Sequence, residues 1–188
     1  MKKTFDTEKK LYTIALLADD TPGVLSQVAR LFSRKGYNIE SIVTGESDRP
    51  NTARLTISIL ADELMVNQIA AQCRKLIPVQ VVKILDEDTS IQREFAMIKV
   101  MAADRTTRDE IIQISNIFRA NIIDVSRETL TVAIFGDKSK TGALIKLLSD
   151  FGILEMAKTG TRAIERGRSC LSDNSKLREE YNYGKNVL

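Results

Sequence analysis

Apolar and polar residues follow two different periods along the first part of the chain. Apolar residues occupy both alternating sets of positions 12–17, which predicts a strand that is buried on both faces. Between residues 24 and 32 they recur at helical spacing, which predicts a helix that Gly36 ends. A second strand is predicted at 39–44, and alternation at 54–59 predicts a half-buried third strand.

A second helix and a fourth strand complete this first half. Asp62 precedes apolar residues at helical spacing and is predicted to cap their helix. The apolar segment 79–85 is predicted as the closing strand. The order strand, helix, strand, strand, helix, strand is typical of a ferredoxin-like domain, an antiparallel sheet with two helices on one face. We therefore predict such a domain over residues 11–86, and its other sheet face needs a cover.

The same order of elements repeats after a polar, acidic linker at 86–90. Thr107 and Glu110 form a candidate capping box ahead of a third helix, and a fourth helix follows. The strands of this half are predicted at 95–101, 122–126, 130–135 and 153–157. The predicted fold class is therefore α+β, with two ferredoxin-like βαββαβ domains in tandem. The second domain covers residues 92–160, and a polar tail follows at 167–188.

Charge and composition exclude several classes of function. Of the 188 residues 28% are charged, and the net charge of +3 includes no block of Lys or Arg, which argues against a nucleic-acid partner. No apolar run is long enough to cross a membrane, and the first residues lack the apolar core of a signal peptide. We therefore predict a cytoplasmic protein with neither a nucleic-acid nor a membrane partner.

The residue types that carry most acid–base and metal chemistry are scarce. The chain contains no histidine, which removes the commonest general base and the commonest transition-metal ligand. Two cysteines, Cys73 and Cys170, cannot form an ordinary structural zinc site without histidine. Cys73 lies on the apolar stripe of a predicted helix, which indicates a thiol in the core. These observations favour a binding or regulatory protein without catalytic residues or metal ligands.

The most informative segment is the turn at residues 20–25, between the first strand and the first helix. Pro22 and Gly23 leave backbone N–H groups at the start of the helix, where the helix dipole favours a small carboxylate. Asp20 can meet an ammonium group, and Asn38 before the second strand offers both a donor and an acceptor. The pattern suits a free amino acid. An ordinary turn, with Asn38 as a turn residue, is the alternative interpretation.

A longer segment around this turn resembles a known family. Residues 19–41 are similar to the ACT domain of the acetohydroxyacid synthase (acetolactate synthase) small subunit, especially in the stretch Gly-Tyr-Asn-Ile-Glu-Ser at 36–41. Further similar segments follow in the family's order at residues 92–94, 117–119, 122–125, 151–155 and 158–160. The resemblance extends over residues 11–168 and does not include the rest of the polar tail.

The resemblance implies an effector site that two chains share. In this family two ACT domains pair, and the effector, usually valine and in some members isoleucine or leucine, lies at their interface. Its carboxylate is expected at the backbone N–H groups of Gly23, Val24 and Leu25. Its ammonium group is expected at Asn38 of the other chain, with Ile39 near the aliphatic side chain.

One position departs from the family's effector site, and the second domain lacks the matching turn. Asp20 stands where the family pattern commonly has Asn. A carboxylate there can pair with the ammonium group, or repel the effector's own carboxylate, so the identity and affinity of the effector stay open. The second domain has no Pro-Gly turn at 102–107, so we expect no amino-acid site there and assign its sheet to dimerisation or partner contact.

By this resemblance the chain is expected to be a non-catalytic regulatory subunit of acetohydroxyacid synthase in branched-chain amino-acid biosynthesis. It would form a homodimer through its ACT domains, activate the catalytic subunit and confer feedback inhibition by valine. Thiamine diphosphate, Mg²⁺ and FAD are expected on the catalytic partner, and none on this chain. The alternatives are a generic ACT sensor that controls another enzyme or regulator, and an RNA-binding domain, for which the strand at 54–59 lacks aromatic residues.

Overall fold

Nine strands and four α-helices make up residues 8–171, the part of the chain that the computed structural model describes. The strands are β1 (Lys10–Asp19), β2 (Ser41–Glu46), β3 (Thr52–Ala61), β4 (Val79–Leu85), β5 (Ser90–Met101), β6 (Asn121–Val125), β7 (Thr129–Gly136), β8 (Ile153–Lys158) and β9 (Arg162–Glu165). The helices are α1 (Val24–Lys35), α2 (Glu63–Cys73), α3 (Arg105–Ile117) and α4 (Lys138–Leu148). No helix in this stretch combines the length and the hydrophobicity that crossing a membrane requires. The chain divides into unit 1, formed by the residues up to Ile91 and those from Ala163, and unit 2, Gln92–Arg162.

Unit 1 contains a four-stranded antiparallel sheet in the order β2-β3-β1-β4. The central strand β1 pairs with β3 along its whole length, from Lys10 opposite Ala61 to Asp19 opposite Thr52. Helices α1 and α2 pack on one face, because their apolar stripes meet the inward side chains of the sheet. The largest fully buried side chains of this core are Ile14, Leu16, Phe32, Leu55, Ile57, Ile59 and Ile69.

Unit 2 repeats this arrangement with strands in the order β6-β7-β5-β8. Its central strands β5 and β7 pair from Glu94 opposite Gly136 to Met101 opposite Thr129. Helices α3 and α4 pack on one face of this sheet, over a core whose larger members are Ile98, Val100, Ile111, Leu130, Val132, Ile134, Leu144 and Leu148. Both units are therefore ferredoxin-like, and the predicted fold class is confirmed.

Short-range signals explain most helix ends. Gly36 follows α1 with φ 69°, a left-handed conformation that suits glycine, and ends this helix as predicted. The Asp62 carboxylate accepts the Met65 N–H at 2.7 Å and caps α2 as predicted. The prediction that a capping box at Thr107 begins α3 is wrong. The cap is Asp104, which has an extended backbone and accepts the Thr107 N–H at side-chain Oδ1 at 2.9 Å, so Thr107 lies inside the helix.

Several strands begin at different residues from those predicted, and β2 and β5 are the clearest examples. β2 begins at Ser41, which pairs with Ser58, and not at residue 39. β5 begins at Ser90 and not at residue 95, so the connection between the units is shorter than predicted. Residues 90–94 are mostly polar, so the sequence does not predict a strand there. In the structure Ser90 and Glu94 are nevertheless buried.

The last described segment returns to unit 1. Residues 163–171, here called the strap, include most of β9, which pairs with β5. The strap contributes two side chains to an apolar cluster on the sheet face opposite α1 and α2. This cluster consists of Ala15, Leu17, Val81, Leu85, Ala163 and Leu171. Leu171 is only 3% exposed, although the sequence placed it in a polar tail. The part of that predicted tail after Leu171 lies outside the described residues.

Candidate functional site

The turn between β1 and α1 brings together four of the predicted site residues. Gly23 is the N-cap of α1, with φ 89°, and no side chain caps this helix. The first turn also contains no acidic residue, so its backbone N–H groups keep the positive end of the helix dipole. The Val24 N–H makes one long bond, 3.4 Å, to the Thr21 carbonyl. Asp20 and Leu25 are exposed beside these groups, which together suit a small carboxylate.

Three hydrogen bonds from distant parts of unit 1 hold this turn in place. The Asp19 N–H donates to the Pro78 carbonyl at 2.8 Å, and Gln80 Nε2 donates to Asp19 Oδ1 at 2.6 Å. The Asp20 N–H donates to the Asn51 carbonyl at 2.9 Å. The turn is therefore positioned by β4 and by the residue that precedes β3. Sequence reasoning missed Gln80, because its partner lies far away along the chain and the residue carries no local signal.

Asn38 and Ile39 follow the opposite end of α1, between Gly36 and β2. Asn38 Nδ2 donates to Glu40 Oε1 at 3.0 Å. Since a carboxylate only accepts hydrogen bonds, the amide turns its NH₂ group toward Glu40 and leaves Oδ1 as an acceptor for another ligand. Ile39 is half-buried against the core of unit 1. Asn38 therefore offers what an ammonium group needs, and Glu40, which the sequence analysis did not select, orients it.

The two groups of predicted site residues do not meet within one chain. Helix α1 has 12 residues. At a rise of 1.5 Å per residue its ends are about 18 Å apart, far more than the length of a free amino acid. The turn with Gly23 lies at one end, and Asn38 lies beyond the other. A site that uses both groups therefore requires a second copy of the chain.

The corresponding end of α3 in unit 2 is closed by its own carboxylate. The Asp104 side chain accepts both the N–H and the hydroxyl of Thr107, at 2.9 and 2.7 Å. These two hydrogen bonds lower the pKa of Asp104, with the backbone N–H as the larger cause. A second carboxylate at this helix end would meet the negative charge of Asp104. The helix end in unit 2 therefore differs chemically from the uncapped end of α1.

Side chains that could hold a metal ion are not clustered in the described residues. Within residues 8–171 no group of three or more His, Cys, Asp or Glu side chains is arranged to hold a metal ion. Cys73 is fully buried in the core of unit 1, as predicted. Burial raises the pKa of the Cys73 thiol to about 12, so this thiol stays protonated near neutral pH.

Two family models match the chain, one in each half. The model described as an AHAS small subunit-like ACT domain matches residues 14–81. The model described as the small subunit of acetolactate synthase matches residues 93–167. The matches therefore extend beyond the turn at residues 20–25 and include most of the described chain.

Full-length relatives and a solved structure agree with these matches. The chain is 45% identical over 162 residues to a probable acetolactate synthase small subunit of Methanothermobacter thermautotrophicus, covering 86% of this chain and 96% of the relative. It is 44% identical over 160 residues to the acetolactate synthase small subunit of Mycobacterium bovis, covering 84% and 94%. The crystal structure of the acetolactate synthase small subunit from Thermotoga maritima matches with a TM-score of 0.78 and 39% identity, covering 85% of this chain and 99% of that chain. This chain belongs to the family of acetolactate synthase small subunits.

Proposed function

We propose that the chain is a regulatory subunit that activates the catalytic subunit of acetolactate synthase and makes it sensitive to a branched-chain amino acid, with valine as the leading candidate. Family membership supports the partner. The uncapped N-terminus of α1 supports an effector with a carboxylate. The observation that carries the proposal is the separation of Gly23 and Asn38 by the whole of α1, because an amino acid that uses both residues then needs two copies of the chain.

The proposed site lies between two ACT units of a homodimer. The effector's carboxylate accepts hydrogen bonds from the N–H groups of Gly23, Val24 and Leu25 of one copy. Its ammonium group donates to Asn38 Oδ1 of the other copy, which the Glu40 hydrogen bond orients outward. Ile39 of that copy lies beside the aliphatic side chain. The site thus recognises both charged groups of an amino acid and an apolar side chain.

In this proposal Asp20 influences how strongly any amino-acid effector binds. Its side chain is exposed next to the turn, and its own N–H is engaged with the Asn51 carbonyl. A carboxylate in this place attracts the ammonium group and repels the carboxylate of the effector. Valine, leucine and isoleucine carry the same charges, so their relative affinities depend on the apolar side chain.

Regulation in this proposal is a difference in affinity between two states of the complex. An effector lowers activity only if it binds the less active arrangement more tightly. Thiamine diphosphate, Mg²⁺ and FAD belong to the catalytic partner in the proposal. The present chain then acts through contact with that partner, and supplies no side chain to the reacting atoms.

The sheet of unit 2 offers an apolar surface for the catalytic subunit. Phe95 and Met97 of β5 face away from the core of the unit, opposite Phe135 and Ala133 of β7. Phe135 is 65% exposed, and exposed apolar patches commonly mark interaction surfaces. We assign this surface, Phe95, Met97 and Phe135, to contact with the catalytic subunit.

Reconstitution tests the proposed function directly. The chain is mixed with the catalytic subunit from the same source, and acetolactate formation is followed with and without valine, leucine or isoleucine. Activation that one of these amino acids reverses is the expected result. If the chain activates the catalytic subunit but none of the three amino acids reverses the activation, the effector site is contradicted and the assignment of the partner is supported. No activation contradicts the partner and favours a generic ACT sensor of another enzyme.

A further inference from the structure

The strap is anchored to the sheet of unit 1 by two polar contacts in addition to its apolar ones. Arg54 of β3 donates from Nη2 to the Ala163 carbonyl at 2.7 Å. Lys83 of β4 forms an ion pair with Glu165, whose side chain is only 10% exposed. The Arg166 N–H donates to the Thr89 carbonyl at 2.9 Å. The strap is thus attached at β3, at β4 and just before β5.

The anchors form a partly buried charge cluster that favours a seated strap. Glu165 Oε1 pairs with Lys83, and Glu165 Oε2 is buried with no hydrogen bond in the described part of the chain. Burial lowers the pKa of Arg54, while the negative charges of Asp48 and Glu165 oppose this shift. A buried carboxylate that loses its cation is strongly destabilised. Removal of Lys83 therefore disfavours the seated position of Glu165 and hence of the strap.

The strands that anchor the strap also hold the effector turn. Gln80 of β4, three residues before Lys83, donates to Asp19. Asn51 directly precedes β3, and its carbonyl accepts the Asp20 N–H. In the sheet, Arg54 stands opposite Leu17 of β1, which belongs to the apolar cluster that the strap completes. The strap and the turn thus depend on neighbouring residues of β1, β3 and β4.

We propose that the strap is a conformational lock on the effector site. The seated strap holds β3 and β4 in the arrangement that fixes the turn at residues 19–25, and release of the strap weakens effector binding. This inference rests on the proposed function, because it concerns the same effector site. Coupling between two sites is reciprocal, so a bound effector must stabilise the seated strap by the same factor.

The reciprocal effect can be measured in the unaltered full-length chain. Amide hydrogen exchange of strap residues 164–166 is followed with and without saturating valine. We expect exchange in the strap to slow at least about fivefold when valine binds, the lower end of common coupling strengths. Amides of β8 in unit 2 serve as the internal control, since they do not belong to the strap. Exchange in the strap that valine leaves unchanged overturns the proposal.

Variants test the opposite direction of the same coupling. Lys83→Met removes the cation of Glu165 and is expected to speed exchange in the strap and to weaken valine binding at least about fivefold. Leu171→Ala, which removes only apolar contact, is the milder variant if Lys83→Met folds poorly. Lys99→Met is the matched control, because it breaks the exposed Lys99–Glu155 ion pair of unit 2 and leaves the strap intact.

The outcomes separate this inference from the proposed function. Weaker valine binding in Lys83→Met or Leu171→Ala, with Lys99→Met unchanged, supports the lock. If a variant loses the protection of its strap amides from hydrogen exchange but binds valine with full affinity, the lock is overturned and the effector site is unaffected. An unaltered chain that binds none of valine, leucine and isoleucine overturns the effector site itself, and the lock with it.

Discussion

Gly23 shows how one residue combines a backbone requirement with a ligand requirement. Its φ of 89° lies in a region that residues with a side chain rarely adopt, and a Cβ atom added there would meet no other atom within 4 Å. A side chain at this position would therefore point into open space beside the first N–H groups of α1. That space is the place that the proposed effector carboxylate occupies.

Gly23→Asp is expected to abolish feedback inhibition while activation of the catalytic subunit is retained. Its carboxylate competes with and repels that of the effector, which costs about 1–4 kcal/mol at close range, or at least a roughly fivefold loss of affinity. Gly23→Asn is the control, since it imposes similar backbone strain without the charge. Titration calorimetry with valine measures both variants. Equal valine affinity in Gly23→Asp and the unaltered chain would refute the placement of the carboxylate.

Cys73 predicts a loss of stability at alkaline pH. Its pKa rises from 9.0 to about 12 on folding, so the folded chain holds the proton more tightly than the unfolded chain. The resulting stability is complete below pH 9 and is lost as the pH rises toward 12. Between pH 8 and pH 10 the free energy of unfolding should fall by about 1 kcal/mol more in the unaltered chain than in Cys73→Ala. Denaturant titrations at the two pH values measure this difference, and parallel losses would argue against it.

At the scale of elements, the sequence predicted those helix ends that depend on hydrogen bonds between residues close together in the chain. Gly36 and Asp62 end and begin helices through bonds to residues at most four positions away, and both predictions are confirmed. The predicted start of α3 was wrong because the sequence analysis selected Thr107, whereas Asp104, three residues earlier, has the extended backbone and the side-chain hydrogen bond of the cap. The early start of β5 was missed because its polar residues are buried only in the folded unit.

The cap of α2 provides a test of element stability. Asp62→Ala removes the acceptor of the Met65 N–H and is expected to lower the free energy of unfolding by about 1 kcal/mol. Asp62→Asn keeps an oxygen in the same place and should remain close to the unaltered chain. Thermal or urea unfolding of the three chains checks this order. If Ala and Asn lower stability equally, the carboxylate contributes through its charge and not as a cap.

At the scale of the whole molecule, the sequence predicted both folds, and it selected the turn at residues 20–25, the contiguous half of the candidate site. Gln80 and Glu40 were not selected, because their importance depends on which side chains they meet after folding. The strap was missed for a related reason. Only Ala163 and Leu171 mark it in the sequence, and neither residue is part of an apolar period. The cytoplasmic location stays a prediction from the sequence.

A substitution in unit 2 is expected to impair activation of the catalytic subunit without affecting valine binding by unit 1. Phe135→Asp places a charge on the apolar surface of unit 2 and should reduce activation at least about tenfold, while valine binding stays unchanged. Leu147→Asp on α4 is the control, because it makes the same kind of change on a partly exposed helix position. Pull-down with the catalytic subunit and calorimetry with valine measure the two functions. A changed oligomeric state in Phe135→Asp would assign the surface to dimerisation instead.

The return of the strap to unit 1 makes that unit discontinuous along the chain. A ribosome delivers β1 to β4 first, then all of unit 2, and only afterwards the segment that covers the sheet of unit 1. During that interval Ala15, Leu17, Val81 and Leu85 lack their final cover, and exposed apolar surface of this kind promotes aggregation. The sheet of unit 1 therefore receives this cover only after unit 2 has been synthesised.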